Sequence, residues 1–153
     1  MTMMSRTVFP GRTGLPDPED EAEFYADVPL KRLIAWIVDT VLIAILVVLG
    51  VVLTLFTGLF FLPVLWLTVS LVYRGLTIIR FSATPGMRLM GIELMDKDGA
   101  PLSPIEAWAH TGIYAMSVAF VFPQLISLAT MAAAPRGQSL TDMLLGTAMV
   151  NRS

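Results

Sequence analysis

Asp39-TVLIAILVVLGVVLTLFTGLFFLPVLWLTVSLVY-Arg74 is a run of about 34 residues without a charged side chain between its two ends. As one helix it would extend about 50 Å at 1.5 Å per residue, too long for a hydrocarbon core of about 30 Å. Two antiparallel spans resolve the mismatch: Leu33 to Phe56 and Phe60 to Ile79, turning near Thr57 and Gly58. Pro63 then falls in the first turn of the second helix, where its missing N–H has no helical partner to lose. Lys31 and Arg32 open the first span, Arg74, Arg80 and Arg88 follow along and after the second, and the turn between carries no basic residue. The positive-inside rule therefore places the N-terminal tail and the segment after Arg80 in the cytoplasm and the turn outside, in a multi-pass arrangement.

Composition agrees with this reading. Of 153 residues, 56% are hydrophobic and only 14% charged, where a soluble domain carries about 25%. Mean hydropathy is +0.74. The net charge of −2 offers no basic field for nucleic acid. Without cysteine there are no disulfides, thiolate metal sites or cysteine nucleophiles. One histidine cannot build a usual zinc site, no glycine-rich phosphate loop is present, and no serine stands in a nucleophile elbow. The chain is thus expected to be no enzyme and to hold no metal or cofactor.

Flanking segments divide it into an acidic tail over residues 1–28 and a membrane domain over 29–153. The tail holds Pro10, Gly11, Gly14, Pro16 and Pro18 and then Glu19, Asp20, Glu21, Glu23 and Asp27, and reads as a mobile, solubilising extension. Its Arg6 and Arg12 are not adjacent, so no twin-arginine address is read there. After the second span, Thr84-Pro85-Gly86 reads as a breaker, and Leu89 to Met95 roughly alternates before Asp98-Gly99. An Asp-Gly pair beside an alternating run predicts a small cytoplasmic β-hairpin. Thr147 to Val150 could add a third strand, which a marginal hairpin would need.

Ser103-Pro104-Ile105-Glu106 has capping-box spacing and starts a helix. From Ala107 the chain is apolar for about 28 residues, to Ala134, with Pro123 past the middle. That length accommodates one span or, with a turn at Pro123, a re-entrant pair of half-helices, but not two full spans. The re-entrant form returns Arg136, Arg152 and the last strand to the side of the hairpin, and is the preferred reading. It requires that the irregular backbone be covered by protein, hence burial or oligomerisation. Ser139 to Leu145 reads as a short capped helix stopped by Gly146.

Asp39 is the sharpest chemical signal, because an aspartate deep in a spanning helix costs on the order of 3 kcal/mol. Arg32 precedes it by seven residues, on nearly the same helix face and about 10 Å away along the axis. Two readings stand: an ion or proton site at Asp39 tuned by Arg32, or an aspartate satisfied by a neighbouring helix end in a purely structural role. Asp142 lies three residues after Ser139, the position of a helix-capping carboxylate. His110 reads as interfacial, as do Trp36, Trp66 and Trp108. The ten methionines read as fillers of irregular gaps.

Three stretches carry a resemblance. Lys31-Arg32-Leu33-Ile34-Ala35-Trp36-Ile37-Val38-Asp39 resembles the opening of the RDD family of bacterial integral membrane proteins, named for one arginine and two aspartates. Thr84-Pro85-Gly86-Met87-Arg88-Leu89-Met90-Gly91-Ile92-Glu93-Leu94-Met95-Asp96 is similar to that family's loop, and Gln138-Ser139-Leu140-Thr141-Asp142-Met143-Leu144-Leu145-Gly146-Thr147 to its closing motif. The resemblance assigns the three named positions to Arg32, Asp39 and Asp142. On those positions the physical reading is a cation or proton site at Asp39 and Arg32, with structural or gating roles for Asp142, Arg88, Gly91, Gly146 and Thr147. Met87 stands where family loops often carry lysine, and His110 where the following helix often carries arginine, so two positive charges are missing. The resemblance suggests transport, with exchange of a small cation or proton. The alternative is a non-transporting scaffold or accessory protein with a structural triad. Two full spans and one broken segment leave little room for a path, so transport implies a homo-oligomer or a membrane-protein partner in the lipid bilayer.

Overall fold

A computed structural model describes residues 14–152. Helix α1 (Val28–Leu53) and helix α2 (Leu62–Phe81) are the two helices long and apolar enough to cross a membrane, joined by a 3-10 turn over Thr57–Phe61. The turn falls where the length argument puts it, and Pro63 sits in the first turn of α2. Along α1 the buried residues Ala35, Asp39, Ile43, Val47 and Val51 recur every four positions, a single stripe turned to the protein. Val41, Ile45, Val48 and Leu49 on the remaining surface are half or more exposed. In water such a patch would be a large liability; in a bilayer it is the outer wall.

After α2 come helix α3 (Pro85–Leu89), strand β1 (Ile92–Met95), helices α4 (Pro104–Ala119), α5 (Val121–Ala133) and α6 (Leu140–Leu145), and strand β2 (Ala148–Asn151). The Thr84-Pro85-Gly86 stretch is not merely a breaker. The Thr84 hydroxyl accepts from Met87 N–H and Pro85 takes the first helical position, so the stretch starts α3. Ser103 with Glu106, and Ser139 with Asp142, form the reciprocal caps that their spacing predicts.

The expected Asp-Gly hairpin does not form. Asp96 accepts from the Asp98 and Ala100 N–H groups and closes a local turn, and the chain then runs on to the Ser103 cap without a second strand. β1 pairs instead with β2, antiparallel, Leu94 opposite Met149 and Met95 opposite Ala148. The expected third strand is therefore the second of a two-stranded sheet. Neighbouring segments support it on both faces, because two strands alone are marginal. Ile92, Leu94 and Met149 join Val28, Ala35, Ile78 and Met87 in the main core. Ala148 and Val150 pack on Leu15 and Tyr25.

That second face corrects the tail. Residues 1–13 lie outside the described residues, but 14–27 are docked rather than free. Ala22–Tyr25 is a 3-10 turn, the Tyr25 hydroxyl donates to Pro16 O at 2.8 Å, and the Asn151 amide donates to Glu23 O and Ala26 O. The acidic composition concealed two apolar anchors, Leu15 and Tyr25, that cover the sheet.

The third apolar segment is broken. α4 and α5 meet at 114°, and the break is at Phe120, whose backbone is extended, not at Pro123. Pro123 falls in the first turn of α5, a position proline tolerates. At about 24 and 20 Å, neither half would cross a bilayer alone. The chain thereby returns to the end of the bundle where α2 stops, and the β1–β2 pairing and a Lys31 Nζ to Asn151 Oδ1 hydrogen bond of 2.6 Å join the start of α1, the segment after α2 and the C-terminal strand there.

Candidate functional site

Asp39 and Asp142 are both fully buried, and each is held by different partners. Asp39 lies 11 residues into α1, about 17 Å along its axis. Its Oδ1 accepts from the Tyr73 hydroxyl of α2 at 2.8 Å and from the Gly86 N–H of α3 at 2.9 Å, and its Oδ2 accepts from the Thr84 hydroxyl. Gly86 makes this possible: a Cβ there would stand 2.3 Å from Ala35 O and 2.8 Å from Asp39 Oδ1. The small residues Ala35 and Gly86 thus let the α3 backbone approach α1 closely enough for an amide to reach the carboxylate.

Asp142 binds through α6. Its Oδ2 takes the Arg32 guanidinium at 2.6 Å and the Ser139 N–H at 3.0 Å; its Oδ1 faces His110 Nε2 at 2.9 Å and accepts from the Thr147 hydroxyl at 3.2 Å. A carboxylate is acceptor only, so the His110 Nε2 carries the proton in this contact. Burial by itself raises the Asp142 pKa. The charge of Arg32 and then the hydrogen bond and charge of His110 outweigh it, and the carboxyl titrates well below the usual carboxylate range. The structure therefore assigns Arg32 to Asp142, 110 residues away in sequence, and not to Asp39 on its own helix. His110, expected at the interface, is 5% exposed and belongs to the same cluster.

The other singled-out residues have local roles. Gly146 stops α6 at φ +70° with its N–H on Asp142 O, and Thr147 places both its N–H and its hydroxyl on Asp142. Gly91, at φ +68°, turns the chain between α3 and β1 and accepts from Arg152 N–H at 2.7 Å. Arg88 is exposed and stacks on Phe81 at 4.4 Å, away from both carboxylates. Among the described residues no group of three or more His, Cys, Asp or Glu side chains is placed to hold a metal ion.

Beside Asp39 a cavity of about 440 Å³ lies among α1, α2, α4 and α5, bordered by Arg32, Asp39, His110 and Arg74. Arg74 is the residue that sequence reasoning missed, because it was counted as a flanking positive charge. It is 8% exposed, and its guanidinium lies 4.6 Å from the Tyr114 ring centroid. Among the described residues it makes no ion pair and no side-chain hydrogen bond. Seven residues from the end of α2, it is about 10 Å inside the helix, where an arginine costs about 2.5–3.5 kcal/mol. The available signal is that a second span reaching Ile79 puts Arg74 five residues inside its own end.

Two apolar spans, a broken third segment and a small sheet at one end, with the buried charges gathered near that end, define a multi-pass α-helical membrane protein. The RDD family model matches residues 27–146, and the chain belongs to that family. The match includes Arg32, Asp39 and Asp142, the three positions that the resemblance assigned. No curated protein and no solved structure matches the chain.

Proposed function

We propose that the protein is a non-transporting accessory or scaffold protein of the bacterial inner membrane, in which Arg32, Asp39 and Asp142 form a structural frame. The observation that carries this reading is that both carboxylates are already satisfied within the chain. Asp39 accepts three hydrogen bonds from two other elements with none of its surface exposed, and Asp142 accepts four. A cation arriving at Asp39 would have to displace the donors that hold α3 to α1, and a proton would weaken the same bonds. The frame fixes α1, α2 and α3 through Asp39, and α1, α4 and α6 through Asp142. In this reading the tail and both strands are cytoplasmic, since the basic residues Lys31, Arg80, Arg88 and Arg152 gather at that end.

Exchange of a small cation or proton, with a homo-oligomer completing the path, is the second reading. One observation favours it: Asp39 borders the cavity. Flux in liposomes under Na⁺, K⁺ and H⁺ gradients separates the two. The frame predicts that the wild-type protein conducts no more than empty liposomes and that Asp39→Asn lowers the yield of folded protein. Wild-type flux that Asp39→Asn abolishes in correctly folded protein would overturn it.

A further inference from the structure

We infer that the cavity beside Arg74 binds the headgroup phosphate of one anionic phospholipid. Three observations converge on it. First, Arg74 is a largely buried residue whose guanidinium has no carboxylate partner among the described residues, and it borders a cavity of about 440 Å³, within the range of about 300–1,000 Å³ usual for ligand sites. Second, the guanidinium carbon is held 4.6 Å from the Tyr114 ring centroid, and a guanidinium's fork of N–H donors suits a two-pronged grip on a phosphodiester. Third, the cavity opens to the side. Leu33, Trp36 and Leu128 on its border are each about half exposed, and α1 and α5 scarcely touch one another there.

These features match one lipid better than a soluble anion. At about 10 Å inside the end of α2, Arg74 can be reached from the headgroup region, and an acyl chain leaving the cavity would lie along the apolar side chains of Leu33 and Leu128. The Gln124 side chain, also on the border, can donate to a phosphate or glycerol oxygen. Asp39 on the same border is also charged, but its oxygens are taken by the Tyr73, Thr84 and Gly86 donors, so Arg74 is the charged group on the border with hydrogen-bonding capacity left for a ligand, and it calls for an anionic oxygen. A zwitterionic headgroup would bring an ammonium toward Arg74 in an apolar space, so phosphatidylglycerol is favoured over phosphatidylethanolamine. Arg32 borders the same cavity, but its charge is committed to Asp142. This inference does not rest on the frame, but a lipid seated in the cavity would occupy the space at Asp39 that the exchange reading needs.

The test is native mass spectrometry of the full chain released from detergent and titrated with phosphatidylglycerol, phosphatidylethanolamine or inorganic phosphate. The expected result is retention of one phosphatidylglycerol per chain, at least tenfold tighter than phosphatidylethanolamine, and not displaced by a tenfold molar excess of phosphate. Arg74→Gln should weaken retention at least tenfold and Arg74→Lys should restore part of it. Ala132→Trp, which fills the cavity from an exposed position, should weaken it likewise without touching the charge, and so decides the matter even if Arg74→Gln fails to fold. Equal retention of the two lipids, displacement by phosphate, or retention unchanged in Ala132→Trp would overturn the inference. So would loss of retention in Arg88→Gln with retention kept in Arg74→Gln, which would place the lipid at the surface arginines.

Discussion

The Arg32 guanidinium and the Asp142 carboxylate meet at 2.6 Å across 110 residues of sequence, and this contact closes the chain on itself. It ties the first turns of the first span to the short helix that precedes the last strand. His110 joins them from the start of the broken segment, so three parts of the chain converge on one carboxylate.

Acid should loosen this junction. The Asp142 pKa is lower in the folded protein than the unfolded value of about 3.9, so its stabilisation is complete above that value and is lost progressively as pH falls below it toward the folded pKa, with the onset inside the range down to pH 3. Thermal unfolding in detergent between pH 6 and pH 3 should show the wild-type Tm falling at the acid end. Asp142→Asn should start from a lower Tm at pH 6 and lose less of it toward pH 3. A variant with the full wild-type acid slope would mean that another carboxylate carries the dependence.

Gly86→Ala should disrupt the contact of α3 with α1. The added methyl meets the Ala35 carbonyl oxygen at 2.3 Å and the Asp39 carboxylate at 2.8 Å, so backbone must move and the Gly86 N–H bond to Asp39 is lost. A cost of about 1–3 kcal/mol follows from the overpacking. Gly112 in α4 has open space around the same atom, and Gly112→Ala should raise stability by about 0.5–1 kcal/mol. Paired melting curves of the two variants check both directions at once.

The course of the chain can be checked in a protein that has no cysteine of its own. Single cysteines at Asp98 and Arg152 should react with a membrane-impermeant maleimide from the same side, since β1 and β2 pair next to both. A cysteine at the exposed Phe60, in the turn between the spans, should react from the opposite side. Labelling of Arg152→Cys and Phe60→Cys from one side would mean that the α4–α5 segment crosses once.

Hydropathy and cap spacing are local quantities, and the features they govern were legible in the sequence. The charge-free run set α1 and α2, and Ser103 with Glu106 and Ser139 with Asp142 announced two helix starts because a capping box needs only four consecutive residues. Features set by distant partners were not legible. The Asp-Gly signal near Asp98 is outweighed because β2 pairs with β1 over four residues and the sheet is covered on each face. His110 has Glu106 four residues before it, but that carboxylate accepts from the Ser103 N–H of the cap, and the partner His110 meets is 32 residues on. Arg32 and Asp39 share a helix face, which suggested a pair, but α3 and Tyr73 reach Asp39 first. Arg74 reads as a flanking charge in sequence and becomes visible as a buried one only beside Tyr114.

A double-mutant cycle on the unfolding free energy tests the frame most directly, using Arg32→Ala with Asp142→Ala and, separately, Arg32→Ala with Asp39→Ala. Residues in direct contact couple by about 0.5–3 kcal/mol, whereas residues without shared partners add within about 0.3–0.5 kcal/mol. The frame predicts coupling near the top of that range for Arg32 with Asp142 and additivity for Arg32 with Asp39. Strong coupling of Arg32 to Asp39, with additivity toward Asp142, would contradict it.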